Sequence, residues 1–452
     1  MDMAANPAVM RAVEKLGYRV TIGDVASQAG LDIKRAEQNL LALASEAGGH
    51  LQVSESGEIA YLFPRNFRDI LRNKYWRLRF QEQVSKIWNF VFYLIRISFG
   101  IYLMASIAII FAAILVIIIA LNSSRDGDSG GSSGGDWMPT GGMGGNWFFF
   151  FWPDYYDRRS YRYRQTRQST HKSNRDRKGR STDSESMNFL EAIFSFLFGD
   201  GNPNADLEER RWQTIGTVIR NHNGAVVAEQ IAPYLDDLGR PAQQEYEDYM
   251  LPVLSRFNGR PEVSPDGQLV YHFPELQVTA QQTRPHPIAA YLKELPWRFS
   301  QAGSGQIIAA VGLGGVNLIG ALVLGSLLAD GSIAQELGGF VEFVAGIYWL
   351  LLGYGTGFLG IPLVRYFWVQ GRNRKVEARN QQRQDRAVAL NQISDAIRQK
   401  LDFARQFAAE TVVSEADLAY TTEQDLTEQE LLQANKIDAE WQRRLEGRSE
   451  ER

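Results

Sequence analysis

Cysteine is absent from all 452 residues. That excludes disulfides, cysteine nucleophiles, thiolate zinc sites and cysteine-ligated iron–sulfur clusters together. Histidine is scarce. His50, His171, His222, His272 and His286 share no short ligand spacing, so a histidine-based metal centre has no support. An excess of positive charge is missing too: the formal net charge is −4, and the chain as a whole has no basic footprint for nucleic acid. A catalytic motif is also lacking. Carboxylate pairs such as Asp236 and Asp237 have no nucleophile or metal partner in view. The chain therefore reads as a non-enzyme that needs no cofactor.

Charge is missing locally as well, in three long runs. Residues 87–121 contain a single charge, Arg96, and residues 101–121 contain none. Residues 307–329 are uncharged, and residues 340–368 carry only Glu342 near the start and Arg365 near the end. A membrane span needs about 20 apolar residues, so each run reads as a membrane helix. The last two form a hairpin. Their link begins at Asp330, Gly331 and Ser332 and has no Lys or Arg, whereas Lys293, Arg298, Arg372, Arg374, Lys375 and Arg379 flank the outside. The positive-inside rule puts both outer ends on the cytosolic side. Gly312, Gly315, Gly320 and Gly325 in one helix, and Gly346, Gly353 and Gly357 in the other, are candidates for close helix packing. Gly353 and Gly357 make a GxxxG pair. No ladder of ionisable groups marks an ion path.

Two soluble stretches share a pattern. Residues 53–64 and 263–274 both fit V-S-x-x-G-x-[I/L]-x-Y-x-F-P, the alternation and turn of a β-hairpin. Each follows helical segments: 7–16, 21–29 and 33–47 (capped by Asp32) in the first, and 207–221, 226–235 and 241–257 in the second. Helix, helix, helix, hairpin is the order of a winged helix. Residues 1–64 hold five Lys/Arg against eight Asp/Glu; residues 207–274 hold six against ten. Phosphate would be repelled, Lys34 and Arg35 being a small exception. Protein docking suits these acidic modules better than nucleic acid.

Between them, residues 122–146 are Gly/Ser-rich and read as a flexible linker. An aromatic stretch with Trp147, Trp152, Tyr155 and Tyr156 then runs into ten Lys/Arg over 158–180, beginning with Arg158 and Arg159. Trp147, Trp152, Tyr155, Tyr156, Arg158 and Arg159 are candidates for contact with an anionic membrane interface; RNA binding or a solvated basic run fits the same composition. Residues 187–199 read as a short apolar helix that lies in the interface or packs on the second module.

The expected fold is mainly α with small β-wings. Its parts are a winged-helix-like module (1–64), a basic juxtamembrane helix (65–86), a membrane segment (87–121), a linker (122–186), an apolar interfacial helix (187–199), a second winged-helix-like module (200–280), transmembrane helices at 307–329 and 340–368, and a helical polar tail (372–452). Within the tail, Leu390, Ile393, Ile397, Leu401, Ala404 and Ala408 form one stripe, and a second helix is expected near 427–445. Topology poses a parity problem. If 87–121 crosses once, the two modules fall on opposite sides, whereas the later hairpin puts the second one inside. A re-entrant bend near Ser98, Phe99 and Gly100 is one escape, and a dip of the aromatic segment is another. The preferred expectation is both modules on the cytosolic side.

Residues 152–159 (Trp-Pro-Asp-Tyr-Tyr-Asp-Arg-Arg), residues 187–204 and residues 225–236 (Ala-Val-Val-Ala-Glu-Gln-Ile-Ala-Pro-Tyr-Leu-Asp) resemble a family of cyanobacterial and plant-plastid integral membrane proteins. The resemblance implies a thylakoid or envelope-type membrane, and no reaction. Plant members sometimes carry an iron–sulfur-cluster biosynthesis label, which a cysteine-free chain does nothing to support. Because residues 1–20 already read as the first module, a transit peptide is not expected and a cyanobacterial source fits. The expected function is a scaffold or assembly factor with membrane lipids and proteins as partners, photosynthetic membrane complexes being the class such a location offers. The rivals are a membrane-tethered nucleic-acid regulator and a lipid-binding or membrane-remodelling protein.

Overall fold

The computed structural model describes residues 6–74, 76–125, 187–240, 244–282, 285–329, 331–392, 395–414 and 418–425, together with 427, 429, 434 and 441. In chain order the elements used below are α1 Pro7–Lys15, β1 Arg19–Thr21, α2 Ile22–Ala29, α3 Ile33–Ala47, β2 His50–Ser54, β3 Ile59–Leu62, α4 Phe67–Lys74 and α5 Trp76–Arg125. Then follow α6 Phe189–Phe198, α7 Leu207–Asn221, β4 Ala225–Val226, α8 Ala228–Ile231, α9 Leu251–Phe257, β5 Arg260–Val263, β6 Leu269–His272 and β7 Val278–Thr279. The chain continues with α10 Ser304–Leu328, α11 Ser332–Leu337, α12 Gly339–Asn391, α13 Asp395–Ala404, β8 Thr411–Val412 and β9 Leu418–Thr421. It is mainly helical, with small sheets.

Two compact units emerge. One contains residues 1–87, 202–297 and 371–452; the other contains 88–201 and 298–370.

In the first unit the helix starts follow local chemistry. Asp32 Oδ1 accepts from the Lys34 and Arg35 amides and starts α3, and Gly48 closes it in the left-handed region. Thr21 and Asp24 form a reciprocal capping box at α2. The buried stripe of α3 includes Ala36, Leu40, Leu43, Ala44 and Ala47. Leu40 is fully buried and contributes about 2 kcal/mol.

The strand orders are β1-β3-β2-β9 and β4-β6-β5. The two matched hairpins turn alike. Ser54 Oγ accepts from the Glu58 amide and Ser264 Oγ from the Gln268 amide, at 3.1 and 3.0 Å. Gly57 and Gly267 both take positive φ, 85° and 79°. One hydrophobic core runs through both modules, from Val13, Leu40 and Phe63 to Trp212, Ile219, Phe257 and Phe273. The seam is α2 against α7. A Cβ on Gly216 would stand 2.9 Å from Ser27 Cα, and one on Gly23 would collide with the Glu275 carbonyl.

Three expectations for this unit need correction. Among the described residues of 241–257, the third helix of the second module is broken: helix at 244–245, a short 3-10 turn at Asp248–Met250 and then α9 at Leu251–Phe257. The tail is not wholly helical: α12 continues to Asn391, α13 follows, and then β8 and β9 join sheets. Ala408 lies beyond the end of α13, so the expected stripe is broken. The helix expected at 427–445 falls outside the described residues except 427, 429, 434 and 441.

In the second unit, three helices are long and apolar enough to cross a membrane. The 50-residue α5 passes unbroken through Ser98, Phe99 and Gly100, so no re-entrant bend forms there. Gly100 instead meets α6, where a Cβ would stand 2.6 Å from Leu190 Cδ2. Ile193, Phe196 and Leu197 of α6 bury with Leu103, Ala310 and Phe358, so α6 packs on the apolar helices. Further along, Ile110 and Ile117 pack with Ala321, Leu324, Val341 and Val344. Polar contacts sit among these helices: Ser106 Oγ donates to Asn317 Oδ1 at 3.3 Å, with Asn317 fully buried, and Tyr354 Oη donates to the Phe99 carbonyl at 2.8 Å.

Candidate functional site

Three buried polar clusters occupy the first unit. At the seam, Asp24 Oδ1 pairs with Arg220 Nη1 at 2.6 Å, while its Oδ2 accepts from the Thr21 and Ala280 amides at 2.9 and 3.0 Å. Thr279 Oγ1 joins the cluster by accepting from Arg220 Nη2 at 3.0 Å. Beside it lies a cleft of about 130 Å³ lined by Gln28, Thr217, Arg220, Asn221, His286 and Glu410. Arg19 is buried alongside. It donates from Nη1 to the Ala280 and Val413 carbonyls, both at 2.7 Å, and so ties β1 to the tail.

The second cluster docks α13. Lys400 Nζ lies 2.8 Å from Glu229 Oε1 and 2.6 Å from Glu247 Oε1. Tyr271 Oη donates to Glu247 Oε2 at 2.8 Å. Burial would lower the Lys400 ammonium, but the two carboxylates outweigh it and hold it above its ordinary value. Burial, and then its bond to Glu247, push the Tyr271 phenol up. Glu247 is 9% exposed, with its backbone in the left-handed region at φ 55°.

The third cluster fastens residues 371–391 of α12. Glu294 receives Arg379 in a two-pronged contact, 2.7 and 2.6 Å, and Arg383 at 2.8 Å. Arg383 also meets Asp236, which Arg211 contacts from the other side. Asn380 accepts from the Glu294 amide and donates to its carbonyl, each at 2.9 Å. Burial pushes the Glu294 carboxyl up, but Arg379 and Arg383 overcome it and leave it below the usual range.

These clusters are ion pairs locked between elements, with acid and base already matched. Among the described residues, no group of three or more His, Asp or Glu side chains converges where a metal could sit.

No family model matches the chain, and no solved structure matches it. One relative does: "Uncharacterized protein At5g03900, chloroplastic" from Arabidopsis thaliana. It is 36% identical over 455 residues, spanning 96% of this chain and 81% of that protein. The chain belongs to that protein's family. Nothing in the relative's name refers to iron–sulfur chemistry, and the family relation stands without that label.

The site residues expected from the sequence of this family member fare differently. Trp147, Trp152, Tyr155, Tyr156, Arg158 and Arg159 lie outside the described residues. For Gly312, Gly315, Gly353 and Gly357 the packing expectation is corrected. A Cβ on Gly312, Gly315 or Gly353 would meet open space, and one on Gly357 would touch only Ile361 of its own helix. The close approaches fall on two expected glycines, Gly320 against Ile110 and Gly325 against Tyr348, and on two others, Gly314 against Phe358 and Gly355 against Leu318. Successive residues of a helix point about 100° apart, so a neighbouring glycine faces elsewhere. Missed altogether were Glu294, Arg383 and Lys400. The signal available was an arginine repeat, Arg379, Arg383 and Arg386, at helical spacing along one face.

Proposed function

We propose that the chain is a non-enzymatic, membrane-anchored scaffold or assembly factor whose two fused modules recruit protein partners at one face of the bilayer. Each module is read as a winged helix: three helices, then a hairpin whose strand pairs back to the strand after the first helix. The chloroplastic relative and the resemblance to cyanobacterial proteins favour a thylakoid or related membrane.

The observation that carries this reading is how charge is divided. Four basic side chains of the modules turn inward, Arg19, Arg211, Arg220 and Arg256, engaged by carboxylates, carbonyls or rings, which leaves Arg11, Lys15, Lys34, Arg35, Arg240 and Arg260 exposed. Acids such as Glu37, Glu209, Asp237, Glu245 and Asp248 stay exposed. An acidic exterior repels phosphate and suits basic or mixed protein surfaces. The outward positions of α3 are Lys34, Arg35, Glu37, Gln38 and Leu41, mixed in charge and not a phosphate-tracking face.

The shared core supports one sidedness for the two modules. One unit holds residues 1–87, 202–297 and 371–452, on either side of the apolar parts of α5, α10 and α12 in the sequence. We read both modules as lying in water on the same side, with the α10–α12 link on the other.

The test is purification of the full chain in mild detergent from its native membrane, with a companion carrying Glu209→Lys, Asp237→Lys and Asp248→Lys. A protein retained at fixed stoichiometry by the wild type and lost from the companion supports the scaffold. Salt-dependent retention of DNA or RNA, without a stoichiometric protein, overturns it in favour of the nucleic-acid regulator.

A further inference from the structure

Arg96 is the one charge in the apolar run of α5, and among the described residues it has no anion. Among the described residues it forms no ion pair and no hydrogen bond, and its Nε is buried with no partner. Its guanidinium carbon lies 5.7 Å from the ring centres of both Phe92 and Phe194, so two aromatic faces hold it. Arg365 offers the contrast. Its Nη1 donates to the Ser195 and Phe196 carbonyls at 3.2 and 3.3 Å, and its head stacks 4.4 Å from Phe299. One arginine closes the end of α6, and the other has its charge unspent.

Depth can be counted along the helices. Leu103, Ala310 and Phe358 share one packed layer. At 1.5 Å per residue, Arg96, Arg365 and Ser304 each lie about 10 Å from that layer, toward the same end of the bundle. Ser304 is the first residue of α10, so this level is the polar boundary of the span. On the membrane side of Arg96, Ile101, Tyr102 and Phe111 are exposed on α5. An unpaired guanidinium at this depth, set in an exposed apolar surface, needs an anion that arrives with hydrocarbon attached.

We propose that Arg96, steadied by Phe92 and Phe194, binds the tetrahedral oxyanion of an anionic membrane-lipid headgroup, with an acyl chain lying along the exposed face of α5. The planar fork of arginine matches such an oxyanion through two parallel N–H donors. The inference depends on α5 spanning the membrane. It is independent of the scaffold role, and either can fail alone.

The experiment uses the full chain in micelles mixing phosphatidylglycerol with phosphatidylcholine, with bound lipids counted by native mass spectrometry. Wild type is expected to favour one phosphatidylglycerol about fivefold, as one cation near a charged headgroup warrants. Arg96→Gln abolishes that preference. Arg96→Lys keeps the charge but not the fork and falls between them; this variant carries the test if Arg96→Gln fails to fold. Equal preference in wild type and Arg96→Gln overturns the proposal, or in wild type and Arg96→Lys when the glutamine variant does not fold. Displacement of the lipid by millimolar inorganic phosphate also overturns it, because the site would then take a free anion.

Discussion

Arg383 and Glu294 meet inside the two-module unit, Nη2 to Oε1 at 2.8 Å, with 1% and 5% of their side chains exposed. Both are buried charges, held because each has further partners: Arg379 on Glu294, and Asp236 on Arg383. Removing one member strands the other. Glu294→Leu is therefore expected to destabilise the unit by about 3–5 kcal/mol. The double change Arg383→Met with Glu294→Leu should cost clearly less than the sum of the singles. Thermal unfolding of the full chain in detergent closes the cycle; strict additivity would mean the pair is not coupled.

The same contacts set the acid limb of stability. Glu294 has a folded-state pKa below its ordinary 4.5. Its contribution is fully present above the unfolded value and is lost as pH falls through the folded one. Lys400 runs the other way. Its pKa is raised above 10.5, so its contribution is present below that value and lost as pH rises through the folded one. Melting temperature against pH should lose part of its acid slope in Glu294→Gln and part of its alkaline slope in Lys400→Met. An acid slope unchanged in Glu294→Gln would contradict the assignment.

Strand β9 covers the edge of β2, and an edge strand left bare exchanges and aggregates. The Leu51 amide donates to Thr422 Oγ1 at 2.9 Å, while the Ser54 amide points the other way, to the Glu58 carbonyl at 2.9 Å. A chain ending at residue 413 should exchange the Leu51 amide much faster and leave Ser54 protected. Hydrogen exchange at the two positions reads this directly. Equal acceleration would mean that the whole hairpin had loosened.

Gly314 and Gly312 separate contact from composition in α10. A Cβ at Gly314 would stand 2.5 Å from the Phe358 ring, and one at Gly312 would meet nothing. Gly314→Val should cost about 1–3 kcal/mol by overpacking, and Gly312→Val close to nothing, by thermal unfolding in the same micelle.

Local signals in the sequence were legible where they did not depend on distant partners. Asp32 and Gly48 bound α3 at both ends, and α3 spans Ile33–Ala47 as the spacing predicts. The membrane helices were legible because an uncharged run has few other stable settings. What escaped depends on pairing across the chain. Leu418–Thr421 is four residues with no strand signature of its own, and it joins β2 from more than 360 residues away. In the tail, nothing local distinguishes Lys400 from a surface lysine; only Glu229 and Glu247, brought together by the fold, make it internal. Among the glycines, Gly320 and Gly325 make the close approaches expected of them, whereas Gly312, Gly315, Gly346, Gly353 and Gly357 do not, since composition locates a helix but not the angle at which its neighbour approaches.

The most direct test is sided labelling in sealed vesicles. The chain has no native cysteine, so single cysteines report cleanly. Glu55→Cys marks the first hairpin turn, Asp266→Cys the second, and Glu336→Cys the link between the hairpin helices; all three positions are exposed. A membrane-impermeant maleimide should react with Glu55→Cys and Asp266→Cys from the same face and with Glu336→Cys only from the opposite one. Labelling of the two turns from opposite faces would contradict a single two-module body anchored by these helices.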